Sequence, residues 1–163
     1  MVEIPDLETM TGQVKLSLGS FENVLYTSQV LIFYPDNTCV MTKRARGGFK
    51  GRWDFGITET QERENSWRAA QRGLYEELRI RCNSELLESC FRYELPGLSR
   101  NIIYVFTYMH SGVLVPDKTR ISEIMLTPAQ EIYKFIKKHR AGITPRSLQS
   151  WQRYAESIGS VRR

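Results

Sequence analysis

A chain of 163 residues, 41% apolar and 25% charged, can bury one core and is too apolar to be a disordered tail. Its 23 basic residues against 18 acidic ones give a net charge of +5, which favours anionic partners such as nucleotides, RNA or polyphosphates. Three irregularly spaced cysteines exclude a zinc motif and point to a reducing compartment, and no apolar run reaches the roughly 20 residues of a membrane span.

Residues 1–12 are acidic and lack the apolar stretch of a signal peptide. They are expected to form a loose lead-in to one domain over 13–163, in an intracellular, cytoplasmic protein. Val14 to Leu18 alternates like a short strand. Ser28 to Tyr34 is a β-branched and aromatic run, the pattern of a buried strand. Pro35-Asp36-Asn37 signals a turn, and Thr38 to Arg44 reads as the hairpin partner. Gly47, Gly48 and Gly51 make a loop, and Arg52 to Gly56 a short strand.

A helix is predicted from about Ser66 to Arg79, capped by Asn65 or Ser66, with Ala69, Ala70, Leu74 and Leu78 on its buried side. Ser84 to Glu94 and Asn101 to His110 read as strands, the second a central one, and Ile121 to Thr127 as another. Thr127-Pro128 is expected to open a helix, with Thr127 as cap, a face of Ile132, Phe135 and Ile136, and Gly142 as its stop. Thr144-Pro145 repeats the start signal for a last helix with Leu148, Trp151 and Tyr154. Strands, helix, strands and two helices make an α/β or α+β chain.

Two clusters of charge carry chemistry. The segment KRARGGFKGR places Lys43, Arg44, Arg46, Lys50 and Arg52 in one loop region, where guanidinium forks and glycine backbone can hold phosphate. The helix carries Glu76 and Glu77 one turn after Arg72. Adjacent carboxylates can ligate a hard divalent cation, and Arg72 at i, i+4 can hold Glu76 charged and oriented. Together they suggest metal-assisted chemistry on a phosphorylated substrate.

The stretch GITETQERENSWRAAQRGLYEELRI, Gly56 to Ile80, resembles the Nudix box, G-x5-E-x7-R-E-U-x-E-E-x-G-U, with U aliphatic. Glu64 stands seven residues before Arg72, Leu74 and Ile80 fill the U positions, and Glu76 and Glu77 the acidic pair. Gly73 replaces the glutamate after the arginine and Arg79 the late glycine. Thr58 falls where the opening glycine is due, with Gly56 the nearest glycine, and Glu62 rivals Glu64. The wording WRAAQRGLYEEL is also similar to the isopentenyl diphosphate isomerase branch of the superfamily. His110 and His139 do not supply that branch's Cys/His site.

The resemblance implies an α/β/α sandwich with a mixed sheet. It implies Mg²⁺ or Mn²⁺ on Glu76 and Glu77 with Glu64 as third ligand, Arg72 as their orienter, and hydrolysis of a pyrophosphate bond. Glu94 and Glu123 are candidate bases from outside the box. The expected partner is a polyphosphorylated small molecule (a nucleoside, dinucleoside or inositol polyphosphate) or a capped or 5′-phosphorylated RNA. The alternative is a weakly active or inactive protein that binds such a ligand through the basic loop. Phe49, Trp53 and Tyr34 could stack on a base, although Trp53 fits the core better.

Overall fold

The computed structural model describes residues 24–97 and 100–161. The strand expected at Val14 to Leu18 and the lead-in lie outside them. Seven strands and three helices follow in the order β1 (Val24–Phe33), β2 (Thr38–Arg44), β3 (Trp53–Asp54), β4 (Gly56–Glu59), α1 (Ser66–Leu78), β5 (Leu87–Leu95), β6 (Arg100–Met109), β7 (Ile121–Pro128), α2 (Ala129–Lys138) and α3 (Pro145–Val161). Among the described residues no helix is long and apolar enough to cross a membrane.

Strict alternation in β1 builds the layers. Val30 and Ile32 join Val40, Tyr104 and Phe106 in a core under Leu74 and Leu78 of α1. Leu31 and Phe33 join Met41, Ile103 and Val105 in a second core under Ile132 of α2 and Trp151 of α3. A strand with both faces covered has to be apolar on both, which is why its sequence reads as a continuous run. The result is an α/β/α sandwich around a mixed sheet.

β1 runs parallel to β6 over its whole length, from Val24 opposite Arg100 to Phe33 opposite Met109, and β5 closes that side antiparallel to β6. On its other side β1 meets β2 at Phe33 and Cys39, next to the hairpin turn. The two strands then part. β4 pairs with β1 through Thr27–Glu59 to Val30–Gly56, while β2 pairs with β3 and β7. The chain from Trp53 to Glu59 therefore crosses the fork between β1 and β2.

Asp54 sits in that fork with no exposure. Its Oδ1 accepts from Gln29 of β1 at 3.1 Å, from Thr144 at 3.0 Å and from the Ser147 hydroxyl. Its Oδ2 accepts from Arg146 Nε at 3.0 Å and Nη2 at 2.7 Å. Five donors satisfy one buried carboxylate and fasten the first turn of α3 to the sheet.

Several local expectations need correction. Gly56 to Glu59, read as the start of the box loop, is a strand, because β1 has left β2 and offers a free edge. Ser84–Leu86 is a 3₁₀ turn, and the following strand begins at Leu87. Thr127 pairs with Cys39 inside β7, so Pro128 takes the cap position of α2 without a side-chain hydrogen bond. α2 ends at Lys138, and Gly142 belongs to a separate 3₁₀ turn. α1 begins as expected, with Asn65 Oδ1 accepting from the Arg68 N–H at 2.9 Å. Arg79 is its left-handed cap residue, at φ 57°.

Candidate anion-binding cleft

β4, the loop that follows it and the C-terminal half of α1 line a cleft of about 620 Å³. Arg44 comes from the end of β2, and Arg46, Gly47, Gly48 and Phe49 from the glycine loop. Positive φ at Gly47 (82°) and Gly51 (80°) explains two of that loop's glycines. Thr58 and Glu59 come from β4, Arg72, Glu76 and Glu77 from α1, Arg120 from the turn before β7, and Arg146 from α3. Five arginines face three glutamates, so the lining is cationic.

The carboxylates are already engaged. Arg44 Nη1 donates to Glu77 Oε1 at 2.7 Å, and Glu77 is 3% exposed. Burial pushes the Glu77 carboxyl up from its ordinary range, opposed chiefly by the Arg44 charge. Glu76 Oε2 receives Arg72 Nη1 at 3.1 Å and Arg120 Nη1 at 3.2 Å. Arg72 also grips Glu64 at 2.8 and 2.9 Å and the Glu59 carbonyl at 2.7 Å. That grip, above all the hydrogen bond from Arg72, holds the Glu64 carboxyl below its ordinary range. Arg72 therefore clamps the β4–α1 connection to the helix.

The expected phosphate set divides. Arg44 and Arg46 line the cleft, and Lys43, Lys50 and Arg52 do not. Lys43 pairs with Glu123 at 2.9 Å and lies over the Trp53 ring. Arg52 lies over the Phe49 ring. Glu94 pairs with Arg100 at 2.8 Å on β5, so neither Glu94 nor Glu123 faces the cleft. Trp53 packs on Phe135 and Tyr34 on His110, which leaves Phe49 as the aromatic of that trio in the cleft.

Arg120 and Arg146 were not singled out from the sequence. Each lies far along the chain from the box, and neither a lone arginine in a turn nor one in the first turn of α3 carries a spacing signal. Asp54 gave no signal either, since its partners come from β1 and α3.

The match to a NUDIX domain model covers residues 26–147. The chain belongs to the NUDIX family. The NUDIX chain overlays a MutT NUDIX hydrolase from Burkholderia pseudomallei with a TM-score of 0.67 at 15% identity, covering 80% of this chain and 98% of that one. The NUDIX domain of Shewanella oneidensis NrtR, complexed with ADP ribose, gives 0.68 at 14% identity over 85% and 90%. A bifunctional NMN adenylyltransferase/ADP ribose pyrophosphatase from Francisella tularensis, complexed with AMP and a Mn ion, gives 0.70 at 16% identity over 85% of this chain and 43% of that one. No curated protein matches the sequence. At these identities the overlays describe a shared fold.

The donor set in this NUDIX chain is a poor fit for a divalent ion. Two carboxylates are neutralised by arginines, and Glu64 is turned into Arg72. Among the described residues no group of three Asp, Glu, His or Cys side chains is placed to hold a metal ion. Such an ion takes its oxygens from one or two carboxylates, waters and substrate phosphates, and here it would have to displace the arginines from Glu76 and Glu77.

Proposed function

We propose that the cleft binds a small phosphoanhydride, of the nucleoside diphosphate class, and that arginines rather than a metal carry its recognition. The observation that supports this most is the pairing of Glu77 with Arg44 and of Glu76 with Arg120. In this reading the box glutamates act as anchors. They fix guanidiniums at the cleft so that their remaining N–H groups can fork onto phosphate oxygens. Arg46, on the glycine loop, lines the same cleft. Phe49 also lines the cleft, with the guanidiniums of Arg146 and Arg52 at 5.0 and 5.7 Å from its ring. The NrtR domain crystallised with ADP ribose makes that compound a sensible first probe. Lys43, Lys50 and Arg52 lie outside the cleft, which favours a small molecule over capped or 5′-phosphorylated RNA.

A second reading is metal-dependent hydrolysis of the pyrophosphate bond, with Mg²⁺ or Mn²⁺ displacing the arginines from Glu76 and Glu77. Its support is the retained Glu64–Arg72 clamp and the position of both carboxylates in the cationic cleft.

Calorimetry with ADP ribose, ADP and capped RNA, in EDTA and in Mg²⁺ or Mn²⁺, separates the two, run beside an assay of phosphate release. Binding should persist in EDTA and fall about tenfold or more in Arg46→Ala and in Arg120→Ala. Binding that requires the metal, or turnover that Glu77→Gln abolishes, would overturn the metal-free reading. Tighter binding of RNA than of either nucleotide would overturn the choice of ligand.

A further inference from the structure

Two departures from the box pattern meet in space. Gly73 is buried on the face of α1 that packs against β4. A Cβ added there would lie 1.7 Å from Thr58 Oγ1, 2.8 Å from Thr58 Cβ and 3.4 Å from Thr58 Cγ2. Rotation about the Thr58 side chain could move Oγ1, but Cβ belongs to the frame of β4, where Thr58 pairs with Ser28. The helix cannot retreat either. Ala69, Ala70 and Leu74 are buried beneath it, and the Ser28 hydroxyl donates to the Ser66 carbonyl at 2.7 Å. The box pattern has glycine at position 58 and glutamate at position 73, and this chain has a side chain at 58 and none at 73.

We infer that Thr58 and Gly73 are one coupled exchange, in which a threonine side chain occupies the space that a glutamate at 73 needs, and that the exchange closes the cleft to a divalent ion. Position 73 is i−3 from Glu76 and i−4 from Glu77, so a glutamate there would stand on the same helix face as both. The Thr58 side chain removes that third carboxylate sterically, and the arginines then satisfy the remaining two. The steric coupling is a property of packing and stands whichever ligand the cleft takes.

Thermal melts of Gly73→Ala, Thr58→Gly and the double variant T58G/G73A test the coupling without any ligand. Gly73→Ala alone should lower Tm by about 5 °C or more, through overpacking. In the Thr58→Gly background the same change should cost little or raise Tm. An equal loss in both backgrounds, or none in either, would overturn the coupling. The metal half is tested by Mn²⁺ titration followed by electron paramagnetic resonance. T58G/G73E should bind Mn²⁺ at least about tenfold tighter than the parent, an extra 1.4 kcal/mol. Affinity equal to the parent's, or a T58G/G73E chain that does not fold while T58G/G73A does, would overturn that half. Neither experiment uses a nucleotide, so its failure is separate from failure of the proposed ligand.

Discussion

Arg44 Nη1 lies 2.7 Å from Glu77 Oε1, and this pair joins the end of β2 to the last turn of α1, both residues lining the cleft. Removing the arginine leaves a buried carboxylate without its partner. Arg44→Ala should therefore cost about 3–5 kcal/mol near neutral pH. The pH dependence has a definite sign. Burial raises the folded value of Glu77 above its unfolded one, so its contribution is full below the ordinary carboxyl range and is lost as pH rises through the folded value. Without Arg44 that rise is larger. The deficit of Arg44→Ala in urea unfolding should thus shrink between about pH 7 and about pH 5. An unchanged deficit would remove Glu77 as its source.

Glu64 titrates in the opposite sense. The Arg72 hydrogen bonds hold its folded value low, so the stability it contributes is present above the ordinary carboxyl range and is lost as pH falls through the folded value. Glu64→Gln should cost about 1–2 kcal/mol near neutral pH, the range of a charge-assisted hydrogen bond. Parent and variant should converge in acid. Denaturation midpoints across a pH series would show it, and parallel curves down to about pH 3 would refute it.

Arg79 holds φ 57° where the box pattern has glycine. A left-handed conformation costs an L-residue about 1–2 kcal/mol. The interactions the Arg79 side chain gains in return, an ion pair with Asp117 at 4.0 Å, a bond donated to the Tyr75 carbonyl at 3.4 Å and a place over the Tyr75 ring, are made by a guanidinium that is itself exposed. Exposed pairs contribute about 0–1 kcal/mol. Arg79→Gly should therefore raise stability by about 0.5–1 kcal/mol, read as a higher Tm. A lower Tm would show that the exposed contacts outweigh the backbone strain.

Asp54→Asn keeps the shape of the side chain but deprives Arg146 of its buried counter-charge. A loss of about 3–5 kcal/mol is expected. Hydrogen exchange should quicken at the first turn of α3, because Arg146, Thr144 and Ser147 all bond that one carboxylate. Exchange that quickens evenly over the whole chain would mean that Asp54 stabilises the fold without fastening α3 in particular.

Elements with local signals are legible in the chain alone. The run from Val30 to Phe33 is apolar at every position, and that local pattern alone marks a strand buried on both faces. Asn65 caps α1 within three residues of its partner, and Arg72 to Glu76 is a single helical turn. Glu64, Arg72, Glu76 and Glu77 keep the spacing of the box, and the spacing is what made the family legible.

Tertiary structure decided which charges share the cleft. Lys43 and Arg44 are neighbours in sequence, yet one meets Glu123 and the other Glu77, because successive side chains on a strand leave on opposite faces. Arg120 and Arg146 enter from a turn and a helix far along the chain, set there by the pairing of β7 with β2 and by Asp54 in the fork. Thr58 and Gly73 read as two separate blemishes in the box. They become one contact once β4 pairs with β1 and α1 packs over both, since only that packing brings a strand side chain within reach of a bare helix position.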